Sequence, residues 1–338
     1  MEMARKGIVE QIPIIGITIG DPAGIGPEIS LRSLVGANIE AVCRPVLIGD
    51  LAFLRSQAAR FGIDRDLVPF DEGERAQGIE VISLDNIDES IEPGIESAAT
   101  GRASAQYILR SVELWDQGVI DAVATAPISK NALKLAGFPY PGHTEFFAEL
   151  TGTSQFAMSF FAEKLRVVLL STHLSLRDAI AKVRTSPLTD LIRFSDRTLI
   201  ELLGRRPRIA VAGLNPHASE GGMFGTEEQD EIAPAIEICF AEGIDVSGPY
   251  SPDTIFLRGY RGEFDLVVAC YHDQATIAVK SLSFGSSVNV TLGLPLIRAS
   301  VDHGTAFDIA GRGVADESSM NAAIRLAAEL VGSKRGIL

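Results

Sequence analysis

RIAVAGLNPH, residues 208–217, reads as a buried β-strand that ends in a polar turn and a histidine. RVVLLSTH (166–173) and DLVVACYHD (265–273) repeat the pattern and deliver His173 and His272 from two further strands. Runs of Val, Leu, Ala and Ile without polar alternation are typical of parallel strands buried on both faces. In open α/β sheets the ligand crevice lies beyond the carboxyl ends of such strands. Three imidazoles delivered to that edge predict convergence on one point, and a divalent metal is the simplest object that would gather them. A single histidine of this kind would be read as a strand cap. Three of the chain's five, in the same topological position, favour a ligand set of His173, His217 and His272. Asp273 is read either as the group that orients His272 or as a general base, and both readings stay open.

Outward from these runs, strand and helix patterns alternate. IPIIGITIG (12–20), RPVLIGD (44–50), VIDAVATAPI (119–128) and VNVTLG (288–293) read as strands. Helices are expected through roughly Leu34, from Leu51 to Arg60, over 101–117, around 176–204 and 227–242, and over 316–333. The helix at 101–117 is amphipathic, with Ala105, Ile108, Leu109, Val112 and Trp115 on one face. Such alternation predicts an α/β fold with a largely parallel sheet. A length of 338 residues suggests two domains or one large α/β unit, and two are expected here. They are expected at 1–135 plus 300–338 and at 136–299.

A formal net charge of −14 argues against nucleic acid or an anionic membrane surface as partner. An anionic small molecule would need a local cluster of cations. Three scattered cysteines make neither a disulfide framework nor a thiolate metal site, and they suit a reducing cytoplasm. No secretory leader is read in the first residues, and no apolar run approaches the roughly 20 residues that span a bilayer.

GDPAGIGPE (20–28) is a Gly/Pro-rich turn that could bind an anion through backbone amides, but it is not a G-x-G-x-x-G dinucleotide fingerprint. In GHTEFF (142–147), His143 and Thr144 stand at an expected helix start. Thr144 reads equally as an N-cap or as an anion donor. Lys280, Asn289 and Arg298 suggest anion recognition, although Lys280 alone could be a solvated surface charge. DHGTAFDIAGRG (302–313) is a polar, Gly-rich loop suited to a nucleotide's ribose and adenine, though as a lone motif it reads as an ordinary loop.

GDPAGIGPE, TAPISK, GHTEFFAELTG, THLSL, GLNPHASE, GPYSPDTIF, YHDQ, VNVTLGLPLIR and SVDHGTAFDIAGRG occur in this order along most of the chain. Together they resemble the 4-hydroxythreonine-4-phosphate dehydrogenase family of vitamin B6 (pyridoxine) biosynthesis. The resemblance implies a two-domain fold like that of isocitrate and isopropylmalate dehydrogenases, with the active site in the interdomain cleft. It further implies that His173, His217 and His272 bind a divalent cation (Zn, Mg or Co) shared across a homodimer, the third histidine coming from the partner subunit. His143, Thr144, Lys280, Asn289 and Arg298 match the family's substrate positions. The loop with Asp302, Gly304, Thr305, Asp308 and Gly311 matches its NAD or NADP region.

The implied reaction is metal- and NAD(P)-dependent oxidation, with decarboxylation, of a phosphorylated four-carbon hydroxy acid. 4-Phosphooxy-L-threonine is the first choice, followed by D-threonate or D-erythronate 4-phosphate and then an aromatic cis-dihydrodiol carboxylate. From other classes, a metal-dependent hydrolase or lyase, or a non-catalytic binding protein, would use the same histidines without a nucleotide. Several positions depart from the family pattern: Ala275 and Ala278 replace a Gly and a Pro, Ser129 an Asn, Ser219 a Gly, and Ala299 a Thr. They bear on the substrate rather than on the histidines.

Overall fold

The computed structural model describes residues 12–36, 38–87, 91–283 and 285–336. Most of the segment read for a leader, residues 1–11, lies outside them. The three histidine-bearing runs are strands Leu165–Leu169 (β7), Ile209–Ala212 (β8) and Leu266–Ala269 (β10). They lie side by side in the order β7, β10, β8, all parallel. Each is buried on both faces: Val168 and Val268 face one core cluster, while Val167, Leu169, Val267 and Ala269 face a second. That double burial is why these strands carry no polar alternation.

They belong to a single 12-stranded sheet. Ile14–Thr18 (β1), Arg44–Gly49 (β2), Leu67–Pro69 (β3), Ile79–Ser83 (β4), Ala122–Thr125 (β5) and Ile297–Ser300 (β12) form one parallel block. Val288–Leu292 (β11) is antiparallel to β12 and to Ala157–Ala162 (β6), and β6 is antiparallel to β7. Val246–Tyr250 (β9) closes the far edge beside β8. These three inversions make the β7–β10–β8–β9 block run opposite to the first, so the carboxyl ends of the two blocks point to opposite edges of the sheet.

The helices follow their local signals. Ala98–Asp116 (α3) starts on a capping box between Ser97 and Thr100. Its residues Ala105 and Ile108 are buried in the core. The helix expected around 176–204 is broken: Leu176–Ala181 (α6) ends, and Thr185–Leu203 (α7) restarts with Pro187 in its first turn. Helix α7 stops at Gly204 with φ 68. The other helices used below are Gly26–Gly36 (α1), Leu51–Arg60 (α2), Lys130–Leu135 (α4), His143–Leu150 (α5), Ala233–Ala241 (α8), Pro252–Tyr260 (α9), His272–Leu282 (α10) and Ser318–Lys334 (α11). Among the described residues, no helix is long and apolar enough to cross a membrane.

Candidate functional site

Alternation along the central strands places Asn289 and Thr291 of β11, Arg298 and Ser300 of β12, and Thr125 of β5 on one face. The start of α5 covers that face. Arg298 is only 3% exposed, yet no carboxylate lies within salt-bridge distance of it among the described residues. Its two terminal nitrogens donate to hydroxyls instead, to Thr291 Oγ1 at 3.1 Å and Thr125 Oγ1 at 3.1 Å. Its Nε is buried without a partner. The guanidinium stands 5.9 Å over the Phe147 ring. Burial pulls the Arg298 pKa down to about 9, with only Glu145 acting the other way, so the side chain is still cationic at neutral pH.

His143 begins α5, and its Nε2 is likewise buried and unpartnered. Burial first, and then the Arg298 charge, hold its pKa well below the ordinary value, so the ring is neutral at pH 7. Thr144 is not the N-cap, a place taken by Gly142; its hydroxyl lies 3.4 Å from that of Thr291. Asn289 Oδ1 is a further unpartnered buried atom on the same face. A buried cation, a neutral ring nitrogen and several hydroxyls with spare hydrogen-bonding capacity make a receptor for an anion. Thr125 and Thr291 carried no signal in the sequence, because hydroxyls within a strand look like ordinary β-formers.

Lys280 is not part of this group. It lies eight residues after His272 on α10, roughly 12 Å along the helix. There its Nζ stands 3.5 Å from Asp302 Oδ2, which also accepts from Ser287 at 2.9 Å. These residues, with His303, Asp316 and Ser319, line a cavity of about 350 Å³. The carboxylates and hydroxyls of that lining suit ribose hydroxyls, so the residues present fit a nucleotide. Of the loop positions expected there, Asp302 lines the cavity, and Gly304 has open space where a Cβ would stand. Thr305 is engaged elsewhere: its carbonyl accepts from Ile25 N at 3.0 Å. A Cβ on Gly311 would meet Pro93 at 2.8 Å, and Asp308 is exposed. This loop therefore packs partly as structure against GDPAGIGPE. Gly20 of that turn, at φ 71, would put a Cβ 2.2 Å from the Pro127 carbonyl, so only glycine fits there.

The three strand-end histidines share one edge of the sheet. His173 and His272 rings lie 5.9 Å apart, close to the roughly 5–6 Å that two imidazoles on one metal leave between their centres. Asp273 Oδ1 sits 2.7 Å from His272 Nδ1, which leaves Nε2 as the free ligand atom. His217 is exposed on the turn after β8, and among the described residues no three His, Cys, Asp or Glu side chains form one metal-holding group. One chain thus brings together His173 and His272, not all three. The donor chemistry fits a divalent metal with further ligands to be added. A second cavity, of about 420 Å³, is lined by both His173 and Thr144 and so connects this edge with the anion receptor.

Of the positions that depart from the family pattern, Ala275, Ala278 and Ser129 are accommodated without backbone strain, whereas Ser219 takes a left-handed φ of 63°. Ala275 and Ala278 leave α10 an unbroken helix, as good helix formers should. Ser129 caps α4, accepting from Ala132 N at 3.0 Å and donating to Glu96.

Residues 41–327 match the profile of the pyridoxal phosphate biosynthetic protein PdxA. The chain belongs to the PdxA family. It is 46% identical over 326 residues to D-threonate 4-phosphate dehydrogenase of Cupriavidus necator, covering 95% of this chain and 98% of that one. It is 45% identical to 4-hydroxythreonine-4-phosphate dehydrogenase of Desulforapulum autotrophicum, covering 94% and 95%. A crystal structure of 4-hydroxythreonine-4-phosphate dehydrogenase from Klebsiella pneumoniae superimposes with a TM-score of 0.87 at 42% identity, covering 94% of this chain and 99% of that one. Like these PdxA-family relatives, the protein is a dehydrogenase.

Proposed function

We propose that the protein oxidises a 4-phosphorylated four-carbon 3-hydroxy acid and that the resulting 3-keto acid loses carbon dioxide. 4-Phosphooxy-L-threonine and D-threonate 4-phosphate are the candidate substrates; they share the phosphate, the C3 hydroxyl and the carboxylate, and differ at C2. The observation that carries this reading is Arg298, a buried guanidinium held by hydroxyls and no carboxylate. A phosphate offers it the missing charge, and His143 Nε2–H, the Thr144 hydroxyl and the Asn289 side-chain NH₂ would donate the remaining bonds. Lys280 stands beside Asp302 in this chain, and its proposed contact with the ligand comes from a different copy of the chain.

A divalent metal at His173, His217 and His272 would supply Lewis-acid polarisation of the C3 oxygen, and NAD or NADP the hydride acceptor. Asp273 holds the Nδ1 proton of His272 and so fixes the ring's orientation. The alternative role for Asp273, general base toward the C3 hydroxyl, would require its carboxylate to leave that bond to Nδ1. The cavity at Asp302 is the proposed place of the ribose. Because one chain gathers two of the histidines, a homodimer with a shared metal site is proposed. The two oppositely directed strand blocks are the proposed domains.

The test is a panel of both phosphate esters, D-threonate and a cis-dihydrodiol carboxylate, with NAD or NADP, before and after EDTA. The reading requires nicotinamide reduction with a phosphate ester, lost on chelation and restored by Zn, Mg or Co. Turnover of the dihydrodiol or of unphosphorylated threonate in preference to the esters would refute it. Phosphate release without nicotinamide reduction would point to a hydrolase.

A further inference from the structure

Just beyond β8 the backbone holds the only consecutive run of left-handed non-glycine residues among those described. His217, Ala218, Ser219 and Glu220 have φ of 55, 54, 63 and 47°. L-residues avoid this region because Cβ crowds the following carbonyl, so such a run persists only where its surroundings impose it. Ser219 shows the strain most plainly, with ψ of −7° and 1% exposure.

Two side chains anchor the segment that leads into this run. Glu228, 2% exposed, opens a single π-type turn (Glu228–Ile232) ahead of α8. Its Oε1 accepts from Leu214 N at 2.8 Å and Asn215 N at 2.6 Å, and its Oε2 from Asn215 Nδ2 at 2.9 Å. All three donors belong to the two residues that precede Pro216 and His217. Gln274 then ties this turn to its neighbour: Oε1 accepts from Cys270 N at 2.7 Å, and Nε2 donates to the Gly213 carbonyl at 2.7 Å. One amide therefore spans the segment bearing His272 and the segment bearing His217.

We propose that Glu228 and Gln274 are positioning residues: Glu228 holds the His217 turn in its strained form, and Gln274 sets its offset from His272. The consequence for metal affinity rests on the metal reading above; the consequence for the turn does not.

Two measurements on the full-length protein separate these. The first is amide hydrogen exchange of 213–222 in EDTA-treated protein, and the second is calorimetric titration of the same protein with Zn²⁺. In Glu228→Ala, exchange in 213–222 should quicken on the order of 10-fold while β8 and β10 stay protected. Zn²⁺ affinity should fall about 10–100-fold, the usual effect of losing a group that supports a ligand. Glu228→Gln keeps an oxygen for the two backbone donors and should restore most of both. Adding Ser219→Gly to Glu228→Ala should slow the exchange again, because the turn no longer needs to be forced. A folded Glu228→Ala with wild-type exchange in 213–222, or with wild-type Zn²⁺ affinity, would overturn the proposal. If Glu228→Ala does not fold, Gln274→Ala must show the faster exchange, and wild-type rates there would overturn it equally. If the wild type binds no Zn²⁺, the metal reading fails while the exchange arm still decides the role of Glu228.

Discussion

Asp265, just before β10, and Arg298, on β12, are both almost fully buried charges, and they are treated in opposite ways. Asp265 accepts from Arg205 at 2.9 and 2.7 Å, from Arg208 Nε at 3.0 Å and from Arg208 N at 2.8 Å. Burial alone would push its carboxyl up, but those bonds outweigh it and hold the pKa well below the carboxylate range. Arg298 receives no such compensation from the chain. A charge satisfied internally serves the fold, whereas a charge left to hydroxyls alone has its countercharge reserved for a ligand.

The sharpest way to break the contrast is Arg298→Met. Activity should fall about 10²–10³-fold in kcat/KM on the phosphorylated substrate, roughly 3–4 kcal/mol, with no loss of Tm, because an unpaired buried cation is removed. Steady-state kinetics alongside calorimetry read both numbers, and a folded variant of wild-type activity would end the argument.

Asp21 is an intermediate case, a buried carboxylate that accepts from Ala23 N at 2.9 Å and has no cation in salt-bridge contact among the described residues. Burial raises its pKa to about 6 from 3.8. Its protonated form therefore stabilises the fold fully below about pH 4, and that contribution, about 3 kcal/mol, is lost as pH rises through 6. Asp21→Asn should flatten the wild-type slope of unfolding free energy between pH 4 and 6; an unchanged slope would reassign the shift.

Asp265→Asn has the opposite sign. Its depressed pKa gives stability that is present above pH 4 and lost in acid. The variant should lose about 2 kcal/mol at pH 7 in denaturant titration, moderated by the half-exposed arginines, with kcat/KM unchanged. Thr144→Val, the mildest of the four, removes one hydroxyl from the receptor and should raise KM by about 3–10-fold at constant stability.

The same contrast explains how much could be read from the chain. The three histidine-bearing strands were legible because burial on both faces writes an unbroken apolar run. Strand β6 and the antiparallel inversions around it were not, since strand direction leaves no mark on composition. Arg298 could be singled out as a cation inside apolar sequence, and His143 as a donor at an expected helix start. That Lys280 would part from them depends on the course of α10, and the supporting Thr125, Thr291 and Glu228 became visible only through hydrogen bonds to residues far away in the chain.

The central claim, that Arg298 awaits a phosphate, is tested most directly by a binding cycle. Calorimetric Kd values would be measured for D-threonate 4-phosphate and D-threonate, or for 4-phosphooxy-L-threonine and its unphosphorylated form, on wild type and Arg298→Met. The account predicts that removing the phosphate and removing Arg298 each weaken binding about 100-fold or more, and that the second removal costs little once the first is made. Losses that simply add, or an Arg298→Met variant that binds the ester as the wild type does, would contradict it.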